Sequence, residues 1–124
     1  MIDAQGVIEG TGYSGQPPHT NDPESMNLKG LGPIPEGFYT IGAPYDSPRT
    51  GPYTLPLIPD ASNEMYGRSE FKIHGERVEP PAGFASDGCI VQILAVRVKI
   101  WTGGDHRLQV VASLPPANLD ANDL

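Results

Sequence analysis

The sequence Ser-Glu-Phe-Lys-Ile-His at positions 69–74 alternates between polar and apolar side chains. Because successive side chains of a β-strand point to opposite faces, Phe71 and Ile73 share one face of the predicted strand. Lys72 and His74 share the other face. The stretch therefore predicts a strand with a histidine on one side and apolar side chains on the other.

Further strand candidates lie on both sides of this segment, next to glycines and prolines that favour turns. They are Val7 to Tyr13, Phe38 to Gly42, Tyr53 to Ile58 and Leu108 to Ala112. Pro56 lies inside the third candidate. Because proline cannot donate to a strand ladder, this predicts an edge position or a bulge.

The segment after residue 89 is ambiguous, since Ile90 to Trp101 fits both a strand and the apolar face of a helix. Gly103 and Gly104 follow it, and two glycines form a natural helix stop. We therefore expect a helix from about Gln92 to these glycines, with Trp101 in the core. Together the elements predict a mainly β fold with one helix.

The chain has 124 residues, a length that fits one domain. Its 15 glycines and 14 prolines are spread without a period, which excludes a collagen-like repeat and favours short strands joined by tight turns. We predict a single domain over residues 1–124, with its core at 12–112. Residues 113–124 are predicted to be a frayed tail.

The formal net charge of −7, from 15 acidic and 8 basic residues, argues against several classes of partner. Nucleic-acid-binding proteins carry a basic patch, and an anionic membrane surface would repel this charge. No stretch is long enough for a transmembrane helix, so membrane insertion is not expected. Met1 to Gly6 lack the basic and apolar regions of a signal peptide. We expect a protein made in the cytoplasm without a cleaved signal, so that action elsewhere requires another export route.

Cys89, the single cysteine of the chain, is a candidate nucleophile. A thiol becomes nucleophilic at neutral pH when a base favours its thiolate, and His74 is the candidate base if the intervening loop folds back. Gly88 would let a substrate carbonyl approach backbone amides that form an oxyanion hole. A helix that begins just after Cys89 would lower the thiol pKa further, whereas Asp87 would oppose the thiolate.

Two other interpretations of these residues remain open from the sequence. Cys89 fits equally the role of a small buried hydrophobic residue. A zinc site would draw on His19, His74, Cys89 and His106, but these lack the short paired spacings of zinc sites. We therefore expect no metal and no cofactor.

His74-Gly75 followed by Ser86-x-Gly88-Cys89-Ile90 resembles the signature of L,D-transpeptidases, in which a histidine and a spacer precede Ser/Thr-His-Gly-Cys. The chain is more broadly similar to the type VI secretion L,D-transpeptidase effector domain. The shared segments are Gly12 to Gly15, Gly32 to Gly42, Arg68 to Gly75, the Cys89 motif and Ile100 to Val110. The resemblance implies a small L,D-transpeptidase-like β-sandwich or barrel with one helix after the catalytic cysteine.

The resemblance also implies a role for each residue of the motif. Cys89 would be the nucleophile that forms an acyl-enzyme with a peptidoglycan stem peptide, and His74 would be the base and later the acid. The backbone carbonyl of Gly75 would be the third catalytic member. The loop and the oxyanion hole would be shaped by Ser86, Asp87 and Gly88.

Arg68 and Tyr39 are the candidate substrate-binding residues. A guanidinium suits a stem-peptide carboxylate, although an exposed arginine paired with a surface acid is an equally good interpretation of Arg68. Tyr39, together with Tyr13, would line a groove, or would be a half-buried strand aromatic.

The implied reaction cleaves the bond between the stem diamino acid and the terminal D-alanine. Water as acceptor gives L,D-carboxypeptidase activity, and a D-amino acid gives the exchange reaction of an L,D-transpeptidase. Asp87 and Val91 stand where housekeeping enzymes usually have His and Arg. The second departure favours hydrolysis or exchange over cross-linking.

The implied protein is a secreted antibacterial type VI secretion effector toxin that acts in the periplasm of the target cell. Its partners would be peptidoglycan stem peptides, the secretion machinery and a cognate immunity protein. The alternatives are a non-catalytic peptidoglycan-binding module and a phage or housekeeping cell-wall L,D-transpeptidase.

Overall fold

The elements of this chain are short, as its dispersed glycines and prolines predicted. The computed structural model describes residues 12–76, 83, 86 and 88–112. In chain order these residues form β1 (Tyr13–Ser14), a 3₁₀ turn (Pro23–Ser25), β2 (Gly37–Ile41), β3 (Tyr45–Ser47), β4 (Gly51–Pro59), β5 (Lys72–His74), β6 (Ile90–Val91), α1 (Leu94–Thr102) and β7 (Arg107–Val110). The predicted mainly β fold with one helix is confirmed.

The described strands form one seven-stranded sheet that curls into a half-barrel. Its order is β1-β6-β5-β4-β2-β7, with β3 paired beside β4. β5 and β6 run parallel, whereas the other neighbours run antiparallel. Parallel neighbours need a long crossover connection, and residues 75–89 supply it. Within the described part of the chain, no helix has the length and apolar character that a membrane span needs.

Three predicted strands are confirmed with small shifts at their ends. The candidates at 38–42, 53–58 and 108–112 correspond to β2, β4 and β7. Of the first candidate, only Tyr13 lies in a described strand, and Val7 to Thr11 lie outside the described residues. The predicted frayed tail at 113–124 also lies outside them.

The core is a cluster of buried side chains from the central strands and the segments next to them. Its members are Ile34, Tyr39, Ile41, Leu55, Leu57, Phe71 and Ile73. Phe71 and Ile73 are buried, as the alternation at 69–74 predicted, although the strand itself is shorter than predicted and begins at Lys72. α1 packs against β4 and β5 and adds Trp101, which is partly buried at the edge of the core.

β4 has neighbours along both sides, so the predicted edge position of Pro56 is wrong. On one side of β4, the ladder with β2 ends at Leu57 and the ladder with β3 begins at Thr54. Pro56 lies between these two ladders, where its carbonyl accepts a hydrogen bond of 2.8 Å from the N–H of Gly42. A missing N–H is tolerated at this position because the partner strand changes there.

α1 begins later than predicted and ends at the predicted glycines, with Gly103 as its C-cap. The two residues after Cys89 form β6 instead, which pairs with β1 on one side and β5 on the other. This pairing on both sides outweighs the local helical pattern. The expected helix N-terminus just after Cys89 is therefore wrong, because β6 and two further residues separate the helix from the thiol.

Candidate active site

The parallel pairing of β5 and β6 places the predicted nucleophile and base on adjacent segments. His74 lies opposite Val91, and the N–H of Gln92 donates to the carbonyl of His74 over 2.9 Å. Cys89 directly precedes β6. The loop after His74 therefore folds back, as the sequence required for a histidine and a cysteine that act together.

The imidazole of His74 is buried and oriented by the next residue along the chain. Its side chain is 4% exposed, and Nδ1 lies 2.8 Å from the carbonyl oxygen of Gly75. Since a carbonyl oxygen only accepts, this contact requires a proton on Nδ1. In the neutral ring Nε2 then carries the lone pair, which is the form that a general base needs.

Cys89 is partly exposed and is not part of a disulfide. Its Sγ lies 3.9 Å from the carbonyl oxygen of Glu70, which is within reach of a weak thiol hydrogen bond. Partial exposure is at odds with the alternative of a small buried hydrophobic residue, because such a cysteine is shielded from water.

Gly88, directly before Cys89, occupies a position that only glycine fits. Its φ of +124° lies in a region that L side chains rarely adopt. A Cβ atom there would come 2.3 Å from Nη2 of Arg68 and 2.9 Å from Cε1 of Phe71. The Gly88 carbonyl accepts a hydrogen bond of 2.9 Å from the hydroxyl of Ser14. The backbone at the nucleophile is thus tightly enclosed.

The hydroxyl of Ser86, which is fully buried, bridges three backbone groups around this turn. It donates to the carbonyl of Cys89 and accepts from the N–H groups of Gly15 at 2.8 Å and Gly88 at 3.0 Å. The predicted loop-shaping role of Ser86 fits this geometry. The N–H of Gly88 is directed at Ser86, which is at odds with its use in an oxyanion hole. Asp87 lies outside the described residues.

We expect Ser86→Ala to lower the free energy of unfolding by about 1–3 kcal/mol, because it removes the partner of two buried N–H groups. Chemical denaturation of the purified variants would measure this difference. The matched control is Ser62→Ala in an exposed turn, which should lie within about 0.5 kcal/mol of the wild type. Equal midpoints for the two variants would show that the Ser86 bonds do not stabilise the turn.

Tyr39, a predicted substrate-binding residue, lies in the core. It is 0% exposed, and its hydroxyl donates to the carbonyl of Pro35 over 2.7 Å. Burial raises the pKa of the phenol to about 12, while the charge on Arg68 acts in the opposite direction. The burial of this ring among apolar side chains is at odds with direct contact to a bound peptide.

Arg68, the other predicted substrate-binding residue, is also buried, with 5% of its surface exposed. Nη1 donates to the carbonyls of Met26 at 2.6 Å and Pro33 at 2.8 Å, and Nη2 donates to that of Gly32 at 2.9 Å. The guanidinium also lies over the Phe71 ring, 5.1 Å from its centroid. Because its guanidinium is engaged in these contacts, Arg68 fits neither a surface ion pair nor direct binding of a substrate carboxylate.

Arg97 of α1 is a second buried arginine, which sequence reasoning did not single out. It is 5% exposed, and its guanidinium donates to the carbonyls of Tyr53, Gln92 and Pro52. A Cβ on Gly75 would come 2.7 Å from its Nη1. Arg97 therefore supports the end of the β5–β6 pair, and only its place between two apolar residues of the helix, Val96 and Val98, hinted at burial.

Tyr13 and Glu76 form a further contact that the sequence did not reveal. The Tyr13 hydroxyl lies 2.8 and 2.7 Å from the two carboxylate oxygens of Glu76. The N–H of Gly83 donates to the same carboxylate over 3.0 Å. Glu76 thereby links β1 to the chain that follows His74, so Tyr13 acts here as a tether for this segment.

A cavity of about 430 Å³ lies between β1, β7 and the loop before β2. Ile90 and Gln92 line it, but neither Cys89 nor His74 does. Among the residues that the structure describes, no group of three or more His, Cys, Asp or Glu side chains is arranged to hold a metal ion. His106 stacks instead on Trp101, with ring centroids 3.9 Å apart.

Comparison with known proteins identifies the family. The family model of the Tlde1 domain matches residues 9–112, which include every described residue and both candidate catalytic side chains. No curated protein and no solved structure matches the chain significantly. The family match covers most of the chain and confirms the resemblance seen in the sequence. The chain therefore belongs to the Tlde1 domain family, a family of type VI secretion L,D-transpeptidase effectors.

Proposed function

We propose that this chain is a peptidoglycan-targeting cysteine enzyme that acts on stem tetrapeptides as an L,D-carboxypeptidase, as an L,D-transpeptidase that exchanges D-amino acids, or as both. The β5–β6 pairing carries the proposal, because it sets Cys89 beside the strand that ends in His74. Membership of the Tlde1 domain family supports the same chemistry. An accessible thiol, an oriented imidazole and a rigid turn are what an acyl-transfer site with a thiol nucleophile needs.

In the proposed reaction, His74 takes the thiol proton on Nε2 and the Cys89 sulfur attacks the carbonyl carbon between the stem diamino acid and D-alanine. A C–S bond forms, the C–N bond breaks, and His74 returns the proton to the departing D-alanine amine. Water or the amine of a D-amino acid then loses a proton to His74 and attacks the thioester. The C–S bond breaks and the proton returns to the sulfur.

The identity of the acceptor depends in part on Val91. This residue is 4% exposed and lies opposite His74 in the β5–β6 pair. A buried valine offers no charge to the carboxylate of an incoming stem peptide, in contrast to the arginine usual in housekeeping enzymes. The substitution supports hydrolysis or exchange over cross-linking.

The family supplies the context in which this chemistry would act. Type VI secretion effectors leave the cell through the secretion machinery and are associated with an immunity partner. We extend this to the periplasm of a target cell, because the proposed substrate lies there. The net charge of −7 supports a wall substrate over nucleic acid, since nucleic-acid-binding proteins are normally basic.

The test is incubation of the purified protein with tetrapeptide muropeptides, with and without an added D-amino acid, followed by mass spectrometry. We expect loss of the terminal D-alanine, or its replacement by the added amino acid, with the wild type. Cys89→Ala should give no product.

No change with a folded and reduced wild type would contradict the proposed activity on this substrate. Sedimentation of the protein with purified peptidoglycan would then test the alternative of a non-catalytic binding module. Product formation by Cys89→Ala at the wild-type rate would instead remove Cys89 as the nucleophile.

A further inference from the structure

The guanidinium of Arg68 packs directly against the turn that presents Cys89. A side-chain carbon on Gly88 would come 2.3 Å from Nη2, so the cation lies against the backbone of the residue that precedes the nucleophile. The carbonyls of the 26–33 loop and the ring of Phe71 hold the guanidinium in this place. Contacts within the protein therefore fix the position of the positive charge, and no bound substrate is needed for this.

We propose that Arg68 is a positioning residue of the active site, whose fixed positive charge against the Gly88–Cys89 turn favours the thiolate form of Cys89. This inference rests on the proposed function, because it assumes that Cys89 is the nucleophile. In this proposal Arg68 affects the reaction by stabilising the Cys89 thiolate. It does not need to contact the stem peptide.

The charge on Arg68 is present at every pH at which the enzyme would work. Burial lowers the pKa of Arg68, while its attraction to the anionic forms of Tyr39 and Cys89 raises it. Arginine nonetheless stays protonated in proteins. Because the pKa of Tyr39 is raised to about 12, this phenol is neutral near pH 7 and leaves the charge available to Cys89. Attraction is mutual, so Arg68 stabilises the Cys89 anion.

Some of the other groups near the Cys89 thiol favour its ionisation, and others oppose it. The titratable side chains on the neighbouring segments are those of Arg68, Glu70, Lys72, His74 and, outside the described residues, Asp87. The carbonyl of Glu70, 3.9 Å from Sγ, accepts a hydrogen bond only from the protonated thiol and so opposes ionisation. A protonated His74 would favour the thiolate, so a test has to separate the contribution of Arg68 from that of His74.

Arg97 provides a matched control within the same molecule. Like Arg68 it is 5% exposed, donates to three backbone carbonyls, and has a pKa that burial lowers. It differs in its position, because its guanidinium lies beside Gly75 and not beside the Gly88–Cys89 turn. Loss of either arginine should destabilise the fold, but only loss of Arg68 should alter the thiol.

The experiment measures the rate of alkylation by iodoacetamide against pH, which reports on Cys89 alone because the chain has one cysteine. We expect the wild-type midpoint to lie below about 8.5, the value of an ordinary cysteine. Arg68→Met should raise the midpoint by about one unit or more, which reduces the thiolate fraction about tenfold at pH values well below both midpoints. Arg68→Lys should raise it less, since the charge remains, and Arg97→Met should leave it at the wild-type value.

An unchanged midpoint in folded Arg68→Met, or an equal rise in Arg97→Met, would overturn the inference. If Arg68→Met does not fold, His74→Gln decides the question with Arg68 intact. A midpoint that stays below about 8.5 supports a charge other than that of His74, and a midpoint at or above it overturns the role of Arg68. Alkylation needs no peptidoglycan, so failure here is distinct from failure of the muropeptide assay.

Discussion

Alanine in place of His74 is expected to lower the turnover of tetrapeptide muropeptides by about 10²- to 10⁴-fold, the usual contribution of a general base. The Gly75 carbonyl lies 2.8 Å from Nδ1 and therefore leaves Nε2 as the basic nitrogen. Alanine has no group that takes the proton from the thiol or returns one to D-alanine. The measurement is kcat/KM by mass spectrometry, with circular dichroism to show that the variant is folded.

The control for this prediction is His106→Ala. The His106 ring stacks on Trp101 and its Nε2 lies 3.1 Å from the Trp101 carbonyl, so its contacts are with the end of α1 and not with the β5–β6 pair. Its loss should leave turnover close to that of the wild type. Turnover of folded His74→Ala within a few-fold of the wild type would remove His74 as the base.

Gly88→Ala is expected to lower the free energy of unfolding by roughly 2–6 kcal/mol, from backbone strain and from overpacking, each about 1–3 kcal/mol. The strain follows from the φ of +124°. The overpacking arises because the new methyl group would meet Arg68 and Phe71. Arg68 does not move aside easily, since three carbonyls hold its guanidinium. Urea denaturation would measure the loss, and turnover should fall with it because Cys89 is the next residue.

Gly67→Ala separates the contribution of backbone strain from that of overpacking. Gly67 also has a positive φ, of +70°, but a Cβ there would meet nothing within 4 Å. We expect this variant to lose only the backbone contribution, about 1–2 kcal/mol. If Gly88→Ala is no less stable than Gly67→Ala, the close packing of Arg68 against the nucleophile turn is contradicted.

Local patterns in the sequence were sufficient to predict most of the strands and the helix. The alternation at 69–74 placed Phe71 and Ile73 on one buried face, and the paired glycines marked the end of α1. The histidine and the cysteine were predicted as partners from the chemistry of a thiol nucleophile. The family resemblance, now confirmed, gave the order of the shared segments.

Features that depend on distant contacts were not predicted. Ile90 and Val91 fit a helical pattern locally, but strands from both sides of the sheet pair with them. Arg68 looked like a surface residue because arginine is rarely buried, and its burial depends on carbonyls about 35–42 positions earlier in the chain. The tether between Tyr13 and Glu76 likewise joins residues 63 positions apart. A sequence does not show which carbonyls or carboxylates will surround such groups.

The two-residue strand β6 has a consequence for the order in which this chain folds. Among the residues that the structure describes, β1 pairs only with β6, and the bond between Ser14 and the Gly88 carbonyl spans 74 positions. The entropy of closing so long a segment must be overcome before its contacts stabilise anything, whereas β2, β3 and β4 are joined by short turns. We therefore expect the central strands to form first and β1, with the Ser14 bond to the Gly88 carbonyl, to join the sheet late. A partly folded chain would then carry Cys89 on a turn that Ser14 does not yet support.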